Sequence, residues 1–313
     1  MLLPRYSDIT HGLTQRPARI SPKYFYDQHG SQLFEAITRL PEYYPTRTEM
    51  ALMQAHADSI AHAIGPGRTL IELGAGNCQK ARTLCRLVQP ACFVGVDISA
   101  DFLEQAVQGL RDEFPALDAR ALAGDMTLGV SLPDDIPRTG RLVFYPGSSI
   151  GNFEPAAATA LLAQMRAHMR PGDALVLAVD GPVEHARMVR AYDDAAGVTA
   201  AFNLNVLNVV NRTLGASFDA TAFRHRAVFN AEASRIEMHL VSQHAQAIAL
   251  GTGQVLRLQA SEHIVTEHSY KHAPARAEQL LRGAGFDQLQ RFGIDGEAYG
   301  VYLARIGHAE SER

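Results

Sequence analysis

The residues best suited to chemistry follow the first strand-like run of the chain. The run Thr69–Leu73 leads into Gly74, Ala75 and Gly76, and a helix-like stretch begins soon after. Glycines at the carboxyl end of a strand let a ligand approach the backbone closely, and the helix that follows presents free amide groups to it. The pattern therefore predicts a crevice that binds a polar ligand.

Two further strand ends carry acidic residues. Asp97 ends the second strand-like run, where a carboxylate can accept both hydroxyls of a ribose. Asp125 and Met126 follow the third run, placing an acid near an adenine amine and an apolar side chain against the ring. A dinucleotide motif would carry a third glycine where this chain has Gln79. The pattern predicts an adenosyl group joined to an amino-acid moiety rather than to a pyrophosphate.

Each of these residues also has a purely structural interpretation. Paired glycines are common in turns, Asp97 could cap the helix that starts near Ser99, and Asp125 could be an ordinary loop acid. Their joint position at successive strand ends favours the cofactor site.

Alternating strand-like and helix-like segments must position these residues. The predicted strands are Thr69–Leu73, Cys92–Asp97, Ala119–Gly124, Arg141–Tyr145 and Ala174–Asp180, and the predicted helices are Gln79–Val88, Ala100–Glu113 and Pro155–Met169. This alternation is typical of a parallel sheet covered by helices on both faces.

The pattern changes after Asp180. Glu184–Leu214 is predicted mainly helical with an interruption near Gly197, and Phe223–Val265 is predicted to hold several strands. A helix over Pro274–Ala284 and strands over 287–292 and 299–304 suit the end of the first sheet. We predict an α/β fold: a Rossmann-like class I methyltransferase sheet over 66–181 and 272–313, and a second α+β substrate lobe over 1–65 and 182–271.

Composition excludes several classes of partner. The 29 Lys and Arg against 33 Asp and Glu, without a basic tract, argue against nucleic acid and anionic membrane. The start Met1–Asp8 lacks the secretory pattern, and no apolar run approaches membrane-spanning length. The 3 cysteines form no Cys-x-x-Cys pair, which indicates neither a disulfide framework nor a zinc site. We expect a cytoplasmic monomer without a metal.

Several long strings resemble the histidine Nα-methyltransferases of ergothioneine biosynthesis. They are Lys23–Asp27, Leu40–Glu49, Pro146–Asn152, Ala191–Asn203 and Thr266–Lys271. The resemblance runs over nearly the whole chain. It implies S-adenosylmethionine as the cofactor and a free amino acid as the substrate, with histidine converted to its trimethyl betaine, hercynine.

The resemblance also implies roles for single residues. It places the cofactor at Gly74, Lys80, Asp97, Asp125 and Met126. It places the amino acid at Tyr43, Asn152, Tyr192, Glu267 and Ser269, with Tyr26 beside the amine. On chemical grounds, either the backbone carbonyl of Gly147 or Tyr26 could hold that amine. Tyr26 is the candidate catalytic residue, because either Tyr26 or a water could relay the proton that the amine must lose.

The side-chain chemistry agrees with these roles. Imidazole carries two polar nitrogens, and Glu267 and Ser269, two apart on a strand, project to the same side and could bind both. Indole has one N–H donor and no acceptor, so this pair favours histidine over a tryptophan derivative. Asn152 and Tyr192 could donate to the substrate carboxylate.

Alternatives remain open at this stage. The chain could methylate another aromatic amino acid, act as a nicotinamide-dependent oxidoreductase, or bind a ligand without catalysis. Two observations count against the oxidoreductase: the third glycine is missing, and the sequence offers no set of residues suited to hydride transfer. Taken singly, Tyr43 could be a packing aromatic, Asn152 a helix cap and Lys80 a surface residue, and Glu267 with Ser269 could form a solvated face.

Overall fold

A computed structural model of the chain describes residues 7–251 and 253–307. The helices are α1 (Ser7–Thr14), α2 (Gln28–Thr38), α3 (Tyr44–Ala55), α4 (Ala57–Ile64), α5 (Gln79–Val88), α6 (Ala100–Glu113), α7 (Pro155–Ala167), α8 (His185–Tyr192), α9 (Val198–Leu214) and α10 (Pro274–Gly283). The strands are β1 (Ala18–Arg19), β2 (Thr69–Leu73), β3 (Cys92–Asp97), β4 (Asp118–Ala123), β5 (Arg141–Tyr145), β6 (Ala174–Val179), β7 (Phe223–Asn230), β8 (Arg235–Ser242), β9 (Gln246–Ala249), β10 (Val255–Leu258), β11 (His263–Tyr270), β12 (Gln288–Gly293) and β13 (Gly300–Arg305).

These elements fall into two compact units. The sheet unit comprises Pro45–Val183 and Tyr270–Arg313, and the lobe unit comprises Met1–Tyr44 and Glu184–Ser269.

The sheet unit contains a 7-stranded sheet in the order β12-β13-β6-β5-β2-β3-β4. Strands β2 to β6 run parallel to one another, whereas β13 pairs antiparallel with both β6 and β12. From β2 the chain first adds β3 and β4 on one side of β2 and then adds β5 and β6 on the other side, so the strand order reverses at β2. In open α/β sheets, ligands bind beside the carboxyl ends of the strands at such a reversal. The predicted sheet and its closing hairpin are confirmed.

Both faces of this sheet are buried. Every residue of β2 and of β6 is buried, which is why both strands are nearly continuous apolar runs. Side chains alternate between the faces, so Leu70 packs in one hydrophobic cluster and Ile71 in the other. Helices α3 to α6 contribute to the first cluster and helices α7 and α10 to the second.

The segment 45–65 lies in the sheet unit, although the sequence analysis grouped it with the substrate lobe. Leu52 of α3 and Ile60 of α4 are 0% and 2% exposed and share a hydrophobic cluster with Leu70 and Phe93 of the sheet. Burial of these apolar side chains attaches the two helices to the sheet.

The lobe unit contains a 4-stranded sheet in the order β1-β11-β8-β7, and β9 pairs with β10 in a separate hairpin. Helix α9 contacts β7, β8 and α2. The interruption predicted near Gly197 separates α8 from α9, and Gly197 adopts a left-handed φ of 73°. Asp194 closes this turn by accepting from the backbone N–H groups of Val198 and Thr199 at 3.0 and 2.8 Å.

The described residues include no helix that is long and apolar enough to cross a membrane. Within the same ranges, no group of 3 or more His, Cys, Asp or Glu side chains is placed to hold a metal ion. Cys78, Cys85 and Cys92 are buried free thiols. Most of the start of the chain, on which the expectation of no secretory signal was based, lies outside the described residues.

Candidate active site

The loop after β2 has the backbone conformation that its glycines predict. Gly74 and Gly76 have φ values of +69° and +51°, which residues other than glycine rarely adopt. A Cβ atom built on either residue would meet nothing within 4 Å, so the loop surface there is open. The Gly74 N–H donates to the carbonyl of Val96 at 2.8 Å, which ties the loop to the end of β3.

Asp97 orients this loop. One carboxylate oxygen accepts from the Gly76 N–H and the other from the Ser99 N–H, both at 2.9 Å. Burial raises the pKa of Asp97 above its usual range, while the two N–H bonds act in the opposite direction. Each carboxylate oxygen has a second lone pair, so these bonds leave acceptor capacity for a pair of ribose hydroxyls.

Asp125 and Met126 follow β4, the neighbour of β3. Asp125 accepts from the Thr127 N–H at 3.0 Å and caps a short 3-10 turn over Met126–Leu128. Met126 packs against the hydrophobic cluster on that face of the sheet. The structural alternative given for Asp125 was an ordinary loop acid; the structure shows a capping residue, and this hydrogen bond fixes the direction of the carboxylate.

Lys80 is not a surface lysine. Its side chain is 18% exposed, and its ammonium lies 2.6 Å from the carboxylate of Glu49. Glu49 is fully buried and also accepts from the Gly147 N–H at 3.0 Å and the Tyr299 hydroxyl at 2.9 Å. Glu49 ends the string Leu40–Glu49, but no role is predicted for it, because no local sequence pattern indicates its burial.

The loop after β5 carries Gly147 and Asn152. Gly147 has a φ of +77°, and a Cβ on Gly151 would come within 2.7 Å of the Tyr270 carbonyl oxygen, so both positions require glycine. The cap position of α7 is occupied by Glu154, so the interpretation of Asn152 as its cap is wrong.

In the lobe unit an aromatic series joins most of the predicted substrate residues. The ring of Phe34 lies edge-on to Tyr26 and to Tyr43, with centroids 5.6 and 6.1 Å apart. Tyr43 in turn lies edge-on to Tyr192 at 6.0 Å, and the Tyr192 hydroxyl is 2.8 Å from the Ser269 hydroxyl. Such edge-to-face pairs hold rings in defined directions. Phe34 was not among the site residues predicted from the sequence.

Strand β11 presents Glu267 and Ser269 on one face, because side chains two apart point the same way. Glu267 is half-buried and Ser269 is only 4% exposed. The alternative of a solvated face is therefore wrong for Ser269. Thr266, on the opposite face, is also buried.

A buried polar chain fixes the backbone of Tyr192. Thr266 donates to the Asn203 amide oxygen at 2.7 Å, and the amide nitrogen of Asn203 lies 2.8 Å from Nδ1 of His225. Burial lowers the pKa of His225, so its ring is neutral and Nε2 carries the proton. Nε2 donates to the Tyr192 carbonyl at 2.9 Å. His225 was missed by the sequence analysis, since only the fold brings β7 beside α8.

The strand order, the reversed β13, the glycine loop after β2 and the acid that ends β3 define a class I S-adenosylmethionine-dependent methyltransferase. Within that class, the chain belongs to the family of histidine-specific, S-adenosylmethionine-dependent methyltransferases, whose model matches residues 5–306.

Individual relatives agree with this placement. The chain is 41% identical over 303 residues to a histidine N-alpha-methyltransferase of Mycolicibacterium smegmatis, covering 95% of this chain and 93% of the relative. It is 38% identical to the histidine N-alpha-methyltransferase of Mycobacterium tuberculosis, with the same coverage. The crystal structure of PH0226 from Pyrococcus horikoshii has the same fold, with a TM-score of 0.51, 12% identity and coverage of 88% of this chain and 98% of that one.

The residues of the sheet unit fit S-adenosylmethionine. The open surface over Gly74 and Gly76 leaves room for a ligand against the backbone, and Asp97 supplies the acceptor that a ribose requires. The ammonium of Lys80 is a suitable partner for the carboxylate of a methionine moiety.

Replacement of Asp97 by asparagine tests this fit. Asparagine keeps one acceptor but loses the charge and places an NH₂ group against one of the two backbone N–H donors. We expect a roughly tenfold weaker affinity for S-adenosylmethionine, measured by calorimetry on folded protein. Asp101→Asn, an acid in the first turn of α6, is the matched control and should keep wild-type affinity. Equal affinities for the wild type and Asp97→Asn would contradict the assignment of Asp97.

Proposed function

We propose that this protein transfers methyl groups from S-adenosylmethionine to the α-amino group of L-histidine and produces hercynine. Family membership over residues 5–306 is the observation that carries this proposal. The named activity of both mycobacterial relatives supports it.

We propose that the sheet unit holds the cofactor, which supplies an electrophilic methyl group on a sulfonium. Gly74 and Asp97 would bind the adenosyl part, Asp125 and Met126 the adenine, and Lys80 the carboxylate. The Gly147 carbonyl would accept from the substrate amine, and the Asn152 amide would donate to the substrate carboxylate. Catalysis by such a site depends mostly on positioning a neutral amine in line with the methyl group.

We propose that the lobe unit recognises the imidazole ring. Glu267 would accept from one ring N–H, and Ser269 would donate to the other nitrogen while sharing a hydrogen bond with Tyr192. Tyr43 supplies a ring edge beside Tyr192. Tyr26 would relay the amine proton, and its ring orientation is set by Phe34.

The cellular setting is also part of the proposal. We propose a cytoplasmic monomer that acts on a free amino acid and binds no nucleic acid. The net charge of -4 supports the last point, and the free, buried thiols of all three cysteines are compatible with a reducing compartment.

A direct assay separates this function from its alternatives. Purified protein is incubated with S-adenosylmethionine and one free amino acid at a time, and products are identified by mass spectrometry. We expect methylated products from histidine only, ending at the trimethylated form. Preferred turnover of tryptophan would support the second candidate substrate, and cofactor binding without any product would indicate a binding protein.

Histidinamide tests the carboxylate contact in the same assay. It retains the ring and the amine but lacks the negative charge that Asn152 would bind. We expect it to be a poor substrate, by roughly tenfold in kcat/KM. Equal turnover of histidine and histidinamide would contradict the role of Asn152.

A further inference from the structure

Glu49 of α3 is a buried carboxylate that the proposed function leaves without a role. It is 0% exposed, and burial of a charged group is costly unless partners compensate for it. Its three partners are the Lys80 ammonium at 2.6 Å, the Gly147 N–H at 3.0 Å and the Tyr299 hydroxyl at 2.9 Å. Two of these belong to residues proposed to bind the cofactor and the substrate amine.

The contact with Gly147 restricts the loop that follows β5. The peptide group between Pro146 and Gly147 is held at both ends, since its N–H donates to Glu49 and its carbonyl accepts from the Ser149 hydroxyl at 3.2 Å. Gly147 and Ser148 then take left-handed φ values of 77° and 57°. With the preceding peptide plane fixed, the left-handed φ of Gly147 restricts the directions that its carbonyl can take.

The contact with Lys80 has a second effect. Lys80 extends from α5, and its Nζ lies 3.1 Å from the position that a Cβ on Gly147 would take. The Glu49 carboxylate thus holds the ammonium and the Gly147 backbone beside each other. The same negative charge offsets the ammonium charge, which would otherwise disfavour a cationic sulfonium nearby.

We propose that Glu49 is a positioning residue for methyl transfer, which fixes the Gly147 carbonyl and the Lys80 ammonium relative to each other. This inference rests on the proposed function. In this inference Glu49 acts through Lys80 and Gly147, the two residues that it contacts and that we propose to bind the cofactor and the substrate amine. Its loss misdirects the carbonyl that accepts from the substrate amine and lowers the fraction of bound amines aligned with the methyl group.

The test is Glu49→Gln, which keeps the size of the side chain and one acceptor oxygen but removes the charge. We expect kcat for histidine to fall roughly tenfold, while the KM for histidine and the affinity for S-adenosylmethionine change less than about threefold. The Gly147 amide, followed by NMR without substrate or cofactor, should exchange with solvent faster than in the wild type.

Asp173→Asn is the matched control. Asp173 is 1% exposed and accepts from the backbone N–H groups of Arg141 and Arg170, both at 2.8 Å, beside the amino ends of β5 and β6. The control loses a buried carboxylate of the same kind in the same unit, away from the proposed site. It should lower Tm yet leave kcat within about twofold of the wild type.

If Glu49→Gln does not fold, Tyr299→Phe replaces it, because it removes one donor to Glu49 and keeps the ring. We expect a smaller fall in kcat, about threefold, with unchanged cofactor affinity. Wild-type kcat and wild-type exchange at Gly147 in a folded Glu49 variant, or wild-type kcat in Tyr299→Phe, would overturn the inference. Absence of methyl transfer to histidine by the wild type would instead overturn the proposed function.

Discussion

Replacement of Glu267 by alanine is expected to lower kcat/KM for histidine by roughly a hundredfold. The imidazole N–H would lose its charged acceptor. Little water could take the place of that acceptor, because Ser269, two residues further along β11, is only 4% exposed. A buried polar group without a partner costs the full desolvation penalty, and the loss is larger when the missing partner is charged. The measurement is steady-state kcat/KM for histidine, tryptophan and phenylalanine in the wild type and in Glu267→Ala.

The three substrates make the outcome specific for ring recognition. Phenylalanine should be rejected by the wild type, because its ring offers no N–H group to Glu267 and no nitrogen to Ser269. The gap between histidine and phenylalanine should therefore narrow in Glu267→Ala. Glu262→Ala is a control at an exposed acid just before β11, and it should retain wild-type selectivity. Full preference for histidine in Glu267→Ala would refute the role of Glu267 and leave the methyltransferase assignment intact.

The second large effect concerns acid stability and His272. Its ring is 4% exposed and stacks on Tyr270, with centroids 5.8 Å apart, and Nε2 has no partner in the described part of the chain. Burial, together with the positive charges of Arg276 and Lys271, lowers the pKa of His272 to about 4. The folded protein therefore binds this proton much more weakly than the unfolded chain does.

The sign of the effect follows from linkage. A histidine whose pKa is depressed from 6.5 to about 4 contributes stability that is fully present above pH 6.5 and is lost as the pH falls through 4. The difference corresponds to about 3 kcal/mol in the free energy of unfolding. His272→Phe removes the titrating group and keeps a ring. Between pH 7 and pH 4, the free energy of unfolding of this variant should therefore fall by about 3 kcal/mol less than that of the wild type.

Urea unfolding at both pH values measures this difference. His239 and His225 also have lowered pKa values through burial, but they are present in both proteins and cancel in the comparison. His62→Phe, at an exposed position of α4, is the control and should lose stability with acid as the wild type does. Identical pH dependence in the wild type and His272→Phe would show that His272 is not the linked group.

The sequence by itself determined the fold class, and it predicted the residues that we propose for the cofactor. Strands such as β2 are predictable because parallel strands buried on both faces are continuous apolar runs, and the loop at Gly74 is predictable because left-handed backbone requires glycine. Asp97 was predictable from its place at the end of β3. The long family-like strings indicated the residues that we propose for the substrate, although no spacing rule would have found Tyr43 or Tyr192.

Only the tertiary structure decided which polar groups are partners. Glu49 and Gly147 are 98 positions apart, and His225 lies 33 positions from the Tyr192 carbonyl that it holds. Local patterns report the periodicity of burial along one element, whereas the compensation of a buried charge depends on elements that meet after folding. For the same reason the sequence grouped the segment 45–65 with the lobe, while the packing of Leu52 and Ile60 against the sheet places it in the sheet unit.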